Sequence, residues 1–534
     1  MAKAAWRSRY EHAKKDADLW LQQIKDGHYY ALPAHYVAHQ AEGSKQPDNA
    51  KVFDATAVDA VSRRQADLHQ KLFPAFRTWT DFSAPGAENN PAAKAALKAV
   101  REKFHAAIMR SNFHLEVHAA LGDALVSIGC LAIHKGTINN PLRFEVIPSA
   151  ELVVAEGPEG MLDDTWRRHK TSVERLNHMW PGIDLPQRWK DLLDKSPAEK
   201  VDVIEACTRN LQTGRWEICV HAGDESGGQE DQPLYKAEAG TNPRPAFRVT
   251  KAPGTSMGFG PVLRALPNIK TANKVVELVL KNAAIAVTGI WQADDDGVLN
   301  PANVKLVPGA IIPKAVGSNG LTPLKSPGQF DVSQLVLSEL RQKIELTIEG
   351  PLPPDNSPSS RRTRYEVMVD EQRHAKVETP MALQLMTEAH EPIVKRCVEI
   401  LADPTMAGSD FFLGEVKAGD AELEVWPVSP MVRQQDEEDA DRTLSALANG
   451  QALFPNENAV LVKGMQVLRG YYDFKGVPGE FIRTEDELKA EQARQDEAQR
   501  SAQATAVMAP AVVEAGKAAG KAAGERIVGG GGQV

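Results

Sequence analysis

The chain has 534 residues, of which 42% are hydrophobic and 25% charged, so it can bury a large core; at roughly 150 residues per domain this length predicts three or four domains. Such a composition excludes a peptide hormone, a disulfide miniprotein and a disordered regulator. Its 62 Lys and Arg against 71 Asp and Glu give a net charge of −9, which argues against tight nucleic-acid binding over the whole surface but allows local basic patches.

The cysteines and the first residues indicate a soluble chain in a reducing compartment. The four cysteines (Cys130, Cys207, Cys219 and Cys397) lie far apart without a C-x-x-C pair, so we expect them reduced and mostly packed. The charged segment 1–16 lacks the apolar region of a secretion signal. No apolar stretch reaches the roughly 20 residues that span a bilayer, so we expect no membrane partner.

Helical and strand patterns share the first 255 residues. A polar helix is predicted over 1–30, a second from 55 to 72 with Asp54 as its N-cap and Pro74 as its stop, and three- and four-residue apolar spacing predicts helix over 92–128. Short apolar runs between Gly and Pro turns predict strands at 130–133, 143–147, 151–155, 165–169, 201–208, 215–221 and 247–250. Together these patterns predict an α+β body.

Two long helices then enclose a small insert. Pro267 is predicted as the first residue of one helix, because its missing N–H would be unpaired there in any case. The other helix, 332–349, has Asp331 as its N-cap and Gly350 as its stop. Since the insert 291–330 joins them, we expect an antiparallel pair with a cap at its far end.

The remainder of the chain is less regular. A loop rich in Pro and Ser runs from 350 to 360, and a helical stretch follows to about 401 with breaks or kinks at Pro380 and Pro392. Apolar residues alternate over 411–427, and 434–495 is helical and strongly charged. The Ala- and Gly-rich segment 501–534 cannot bury enough apolar area to order itself.

Motifs for catalysis are weak or missing. No G-x-x-x-x-G-K-[ST] loop is present, and the glycine cluster 254–261 is better explained as a tight turn before the long helix. His114 and His118 have metal-ligand spacing on a helix but lack the H-E-x-x-H pattern, so surface or interface histidines are the favoured interpretation. The acidic run 294–296 precedes a glycine and predicts a hairpin tip. We therefore expect no catalytic residue, no metal and no cofactor.

A basic cluster is the feature most like a nucleic-acid contact. Arg361, Arg362 and Arg364 follow the Pro- and Ser-rich loop, where guanidinium groups could meet phosphates without reading bases. A solvated helix N-terminus explains the same residues about equally well. Cations are unfavourable at a helix start, which tilts the balance toward a functional role.

The order of the segments resembles that of the portal, or head-to-tail connector, proteins of T7-like short-tailed bacteriophages. The resemblance runs from about residue 30 to 480 and lies in segments 52–57 (VFDATA), 72–74 (LFP) with Trp79, 111–113 (SNF), 122–125 (GDAL) with Gly129, 258–261 (GFGP), 265–270 (ALPNIK) with Asn273, and 307–309 (VPG). One departure occurs at 362–367 (RTRYEV), where the family usually has a Met-Thr-Ala-Thr-Glu-like stretch.

The resemblance implies a portal fold assembled as a cyclic ring, with an α/β wing, a two-helix stem, a small α/β clip, a kinked tunnel helix and a helical crown. The corresponding segments are 1–260 (N-terminal arm and wing), 261–290 (first stem helix), 291–330 (clip), 331–349 (second stem helix), 350–362 (tunnel loop), 363–403 (kinked tunnel helix), 404–430 (return to the wing), 431–500 (crown) and 501–534 (low-complexity flexible tail).

The same resemblance implies a structural protein with no enzymatic activity. It would form a ring of twelve at one capsid vertex of the virion, assembled in the host bacterial cytoplasm, as a conduit for DNA packaging and ejection. Implied partners are further copies of the chain, the major capsid protein, a terminase at the clip, a tail adaptor, scaffold or internal core proteins, and non-specifically bound double-stranded DNA at Arg361, Arg362 and Arg364. The alternatives are a nucleic-acid-processing enzyme, such as a terminase or nuclease, and another ring-forming capsid or tail-adaptor protein.

Overall fold

A computed structural model describes residues 5–40, 50–83, 91–223, 233–288, 291–292, 322–323, 330–350, 379–414, 424–427 and 443–453, and a few short pieces up to residue 495. The chain divides into two units, Met1–Val432 and Arg433–Val534. Within the described part of the second unit, residues 443–453 form a helix. All the elements that follow belong to the first unit.

Five helical segments precede the main sheets. They are α1 (Ala5–Ala31), the short α2 (Pro33–Tyr36) with a 3-10 turn at Val37–His39, α3 (Thr56–Leu72), α4 (Pro91–Arg110) and α5 (Phe113–Val126). Asp54 caps α3 as predicted in chemistry but not in position. Its Oδ1 accepts a hydrogen bond from Thr56 N at 2.9 Å, while Ala55 occupies the N-cap position.

The single helix predicted over 92–128 is two helices. Asn112, between α4 and α5, exchanges two hydrogen bonds with the backbone of Phe144: Nδ2 donates to its carbonyl at 2.8 Å and Oδ1 accepts from its N–H at 3.0 Å. This contact with a distant strand holds Asn112 out of helical conformation. The apolar spacing alone does not contain that information.

Three sheets were formed by the predicted strands and by strands that the sequence did not reveal. Their bounds are β1 (Thr80–Ser83), β2 (Gly129–Lys135), β3 (Leu142–Val146), β4 (Leu152–Glu156), β5 (Leu162–Ser172), β6 (Lys200–Arg209), β7 (Trp216–Ala222), β8 (Tyr235–Ala239), β9 (Ala246–Phe247) and β12 (Glu424–Pro427). Their orders are β3-β2-β9, β4-β5-β6-β7-β8 and β1-β12, all antiparallel.

The five-stranded sheet is covered on both faces. Helices α6 (Val173–Met179) and α7 (Gln187–Lys195) pack on one face, where Trp189 meets Val203 and Cys207 of β6. The first turns of α1 pack on the other, where Tyr10 meets Trp166 and Ile204. Alternate residues of a strand point to opposite faces, so β6 can contribute to both clusters.

The long helices are α8 (Pro261–Thr288) and α9 (Phe330–Glu349), with the two-residue strands β10 (Trp291–Gln292) and β11 (Thr322–Pro323) between them. A last helical run comprises α10 (379–385), a π-helical turn (Met386–His390) and α11 (Glu391–Leu401), followed by a 3-10 turn at Pro404–Met406. One hydrophobic core joins these helices to α3, α4, α5 and the three-stranded sheet.

The α+β class is confirmed, and so is the state of the cysteines. All four are free; Cys130, Cys207 and Cys397 are buried, and Cys219 is half-buried. Burial raises the pKa of the Cys130 and Cys207 thiols to about 12, so neither is a nucleophile at neutral pH. Among the described helices, none is long and apolar enough to cross a membrane.

Candidate functional site

The paired helices α8 and α9 form the most distinctive surface of the described chain. The antiparallel pairing of Trp291 with Pro323 and of Gln292 with Thr322 brings the end of α8 to the start of α9. The helices are therefore antiparallel, as expected. Two boundaries differ from the prediction: α8 begins at Pro261 with Pro267 inside it, and α9 begins at Phe330, so Asp331 lies in its first turn.

The start of α8 is fixed by a glycine turn. A Cβ on Gly258 would lie 2.1 Å from the Ser127 carbonyl oxygen, and a Cβ on Gly260 would lie 2.2 Å from that of Leu125. Only glycine allows the chain to pass this close to the end of α5. The cluster is thus a structural turn, as the sequence analysis favoured, and Pro261 takes the first-residue role that had been given to Pro267.

The turn-proximal half of the pair is buried in the body. Val262, Ala265 and Ile269 of α8 and Ile344 and Ile348 of α9 are nearly or completely buried. At roughly 25 cal/mol per Å² of apolar area, the transfer of such side chains from water stabilises by about 1.5–3 kcal/mol each. This half is an integral part of the core, so it holds the rest of the pair in a fixed direction.

A polar contact reinforces this attachment. The Asn273 side chain of α8 is buried, accepts hydrogen bonds from the N–H groups of Phe53 (2.6 Å) and Asp54 (3.2 Å), and donates to the Lys51 carbonyl (2.9 Å). From α9, Arg341 Nε donates to Asp54 Oδ2 at 2.8 Å. Burial would raise the pKa of Asp54, but hydrogen bonds from Thr56 and Arg341 outweigh it and lower that pKa.

A second ion pair joins α9 to α3. Arg63 donates from Nε to Glu349 Oε1 at 2.8 Å, and its Nη2 lies 3.4 Å from Glu345 Oε1. Arg63 is half exposed, so this pair contributes modestly to stability. Together with Asn273 and Arg341 it prevents the two helices from sliding along α3.

Beyond these contacts, large apolar side chains of the pair are open to solvent. Leu278 is 48% exposed and Leu280 53% exposed on α8, and Leu335 is 72% exposed on α9. Since an α-helix turns about 100° per residue, Leu278 and Leu280 point about 200° apart. Apolar surface therefore lies on opposite sides of α8, and no single neighbour on one side could cover both.

The helical run after residue 379 is attached by a buried ionic cluster. The Arg248 side chain is fully buried and donates from Nη2 to Glu388 Oε1 and from Nη1 to Glu156 Oε1, both at 2.6 Å. Its backbone N–H donates to Glu388 Oε2 at 2.9 Å. Burial lowers the pKa of a guanidinium, but these two carboxylates reverse that effect and raise the pKa of Arg248.

Glu388 lies in the π-helical turn Met386–His390, directly before Pro392. Proline cannot donate to the carbonyl four residues earlier, and its ring would clash with it in a regular helix. The wider turn accommodates Pro392, so the predicted break there is a local widening within a continuous helical run. Pro380 lies at the second described position of α10; any kink before it would lie outside the described residues.

The predicted DNA-contacting residues Arg361, Arg362 and Arg364 fall in 351–378, outside the described residues. The structure places the two neighbouring chain ends, Gly350 and Pro380, on one pocket of about 360 Å³. The sequence analysis did not single out this pocket, because its walls come from five separate segments. One signal was available: Arg264 lies in the first turn of α8, where a cation is unfavourable to the helix dipole.

The predicted helix histidines meet a third histidine that the sequence could not pair with them. His69 of α3 lies with its Nε2 3.2 Å from Nδ1 of His114, and its ring centroid is 5.4 Å from that of His118. Burial and both neighbours lower the pKa of His69 to about 4, so it is neutral at pH 7. Within the described ranges, no group of three His, Cys, Asp or Glu residues has the arrangement of a metal site.

A sequence model of the family described as "Bacteriophage head to tail connecting protein" matches residues 3–482. This match covers most of the chain. The protein belongs to that family. No curated protein sequence matches this head-to-tail connecting protein.

Solved structures similar to the connecting protein come from gene transfer agent particles. A chain in the neck of an empty particle, computed with C6 symmetry, is 15% identical, with 81% of this chain and 98% of that chain covered and a TM-score of 0.33. A chain of the native virion is 15% identical over 78% and 95% of the two chains, with a TM-score of 0.30. At such TM-scores these likenesses carry no weight, and the assignment follows from the family match.

Proposed function

We propose that this connecting protein is a portal of the T7-like type: a ring of twelve copies at one capsid vertex that serves as the conduit for DNA packaging and ejection. The protein itself is structural and performs no catalysis. The single observation that supports the ring most strongly is the apolar surface on opposite sides of α8, at Leu278 and Leu280. A subunit in a ring has one neighbour on each side, and both surfaces are then covered.

The geometry favours a ring over a two-fold dimer. In a two-fold dimer the same patch meets itself, so one side of the helix pair stays exposed to water. Head-to-tail contacts use two different patches on each copy and close into a ring when the rotation allows. Ion pairs within α8 already use its charged side chains, such as Glu277 with Lys274 and Lys281, which leaves the leucines as the free contact groups.

The regions follow from this proposal. Segments 261–290 and 331–349 are the stem, 291–330 the clip, 350–362 the tunnel loop and 363–403 the tunnel helix. The wing comprises 1–260 and 404–430, and the crown 431–500. The clip is the docking platform for a terminase and the tail adaptor; the major capsid protein and scaffold or internal core proteins surround the ring.

The charge of the chain suits a conduit. A net charge of −9 keeps most of the surface from holding phosphates, since each neutralised phosphate adds affinity through counterion release. The chain has no G-x-x-x-x-G-K-[ST] loop, so a separate ATPase must supply the energy of packaging. DNA then passes through a largely repulsive channel that a few arginines keep centred.

A leucine substitution in the helix pair should prevent ring formation. The unchanged protein is expected to give closed rings by negative-stain microscopy and a mass by light scattering of about 0.7 MDa, twelve times 58.2 kDa. Leu280→Glu buries a carboxylate in the contact and should leave monomers. Leu211→Glu is the matched control, because Leu211 is 66% exposed on the β6–β7 turn, and this variant should form rings.

Mixing two variants distinguishes a ring from other assemblies. Leu278→Glu should block one side of α8 and Leu280→Glu the other, so each variant alone stays monomeric. An equal mixture retains one intact pair of surfaces and should give dimers. Rings from either single variant at the unchanged yield would contradict the proposed contact.

The three arginines of the proposed tunnel loop have their own test. Replacing Arg361, Arg362 and Arg364 together by alanine should leave ring formation intact, because guanidinium groups that touch only phosphate are not part of a subunit contact. The amount of DNA packaged and retained in particles should fall. Unaltered packaging and retention in particles carrying the triple variant would exclude these residues as DNA contacts.

A further inference from the structure

The pocket at Gly350 and Pro380 lies where four elements meet. Its walls come from α3, the start of α8, the end of α9 and the start of α10, together with the strand-like segment 249–251. Its volume is about 360 Å³. The chain leaves the described structure at one wall and returns at another, so the arginine-bearing segment is tied to this pocket at both ends.

The side chains that line the pocket carry positive charge only. Arg64, Lys251 and Arg264 are cationic, and no lining residue is Asp or Glu. Arg64 Nη1 binds Asp67 at 2.7 Å, and Lys251 Nζ lies 3.2 Å from Glu156, so carboxylates outside the pocket balance these two cations. The charge that remains for a ligand is that of Arg264.

Arg264 is exposed on the first turn of α8. Among the residues that the structure describes, its guanidinium has no hydrogen-bond or ion-pair partner; only its backbone N–H is used, donating to the Gly260 carbonyl at 3.2 Å. A cation near the N-terminal end of a helix opposes the helix dipole, and an anion bound there would relieve both charges. The hydroxyl of Thr250 also lines the pocket and can donate to an anion.

We propose that this pocket binds a phosphodiester group of duplex DNA through the Arg264 guanidinium. A guanidinium can donate two parallel hydrogen bonds to the two free oxygens of a phosphodiester, which makes it well suited to this ligand. The inference rests on the proposed conduit function. It adds a fixed phosphate contact at the base of the loop to the contacts of the loop itself, with no preference for base sequence.

The test compares DNA binding by assembled full-length protein with Arg264→Gln and with the unchanged residue. Fluorescence anisotropy with a labelled duplex of arbitrary sequence is measured from about 50 to about 200 mM salt. Arg264→Gln should weaken binding about three- to tenfold at low salt and reduce the slope of log K against log salt by about one or more. Arg264→Lys keeps the charge and should retain most of the slope.

The matched control is Arg215→Gln, which removes an exposed arginine on the β6–β7 turn, where Arg215 lies 3.9 Å from Glu238. It should leave affinity and slope close to those of the unchanged protein. Equal affinity and slope for the Arg264→Gln and Arg215→Gln variants would overturn the proposal. So would binding of inorganic phosphate through Arg264 without any effect of the substitution on duplex binding.

Failure of the ring and failure of the pocket are separable. If Arg264→Gln lowered the mass of the assembly in the absence of DNA, the pocket would hold a carboxylate of a neighbouring copy, and the phosphate proposal would be wrong. If the unchanged protein stayed monomeric, the ring proposal would fail. The comparison of Arg264→Gln with Arg215→Gln would then be read on the monomer, with the same two outcomes for the pocket.

Discussion

Glu388→Gln is expected to lower the free energy of unfolding by about 3 kcal/mol, because removing one partner of a buried ion pair leaves a charge without compensation. The Arg248 side chain is fully buried and Glu388 is 2% exposed. Glu156 remains as a counter-ion, but its side chain is 27% exposed, which keeps the loss at the lower end of the usual range. Urea denaturation followed by circular dichroism at one fixed protein concentration measures the change.

Two further variants test the cause. Glu391→Gln lies on the neighbouring turn and breaks an exposed pair with Lys395, so it should change stability by less than about 1 kcal/mol. A double variant, Arg248→Met with Glu388→Met, removes both charges and should recover a large part of the loss. If Glu388→Gln were no more destabilising than Glu391→Gln, the ionic cluster would not be what holds the helical run.

The periodic parts of this fold are legible in the sequence, because each depends on neighbours a few residues apart. The spacing of apolar residues in α1, α3, α8 and α9, and the alternation in β2 to β7, report which face of each element is buried. Gly350, predicted as the stop of α9, has a φ of +85°. A local conformation that needs glycine leaves its mark in the sequence.

Features made by distant residues are not legible in this way. Helices α6 and α7 were missed because their sequences are largely polar, and only Leu176 and Trp189 reach the sheet deeply. Arg248 and Glu388 are 140 positions apart, and neither differs in sequence from a surface charge. The same holds for the pocket at Arg264, whose other walls come from four remote segments.

The mixed outcome at the prolines has one physical origin. A proline fixes its own φ and lacks a donor, so the sequence shows that a regular helix cannot pass unchanged, but not how it adapts. At Pro261 the helix begins; at Pro267 it continues on an exposed side; at Pro392 it widens into a π-helical turn. What lies on the opposite side of each helix decides among these.

Acidification is expected to destabilise the protein steeply, because folding keeps many histidines neutral. Burial is the largest cause in each case, and the pKa is lowered to about 4 for His39, His69, His105, His134 and His390. An unfolded chain takes up these protons near pH 6.5, so between that pH and about 4 the unfolded state binds more protons than the folded state. Stability is therefore complete above pH 6.5 and is lost as the pH falls.

The slope is at most about 1.4 kcal/mol per pH unit for each such histidine. Stability should thus fall by several kcal/mol between pH 6.5 and pH 5, a range in which ordinary carboxyl groups stay ionised in both states. Urea midpoints at pH 7, 6 and 5 measure this loss.

One histidine at a time can be removed from the effect. His390 is buried, and its Nε2 donates to the Trp79 carbonyl at 3.1 Å, so His390→Gln keeps a donor while abolishing the titration. This variant should lose stability at pH 7, yet show a dependence on pH that is shallower by up to about 1.4 kcal/mol per pH unit. His178→Gln, at an exposed position of α6, should leave the dependence as it is. Equal urea midpoints at pH 7 and pH 5 for the unchanged protein would contradict the account, since neutral buried imidazoles cannot survive acidification without cost.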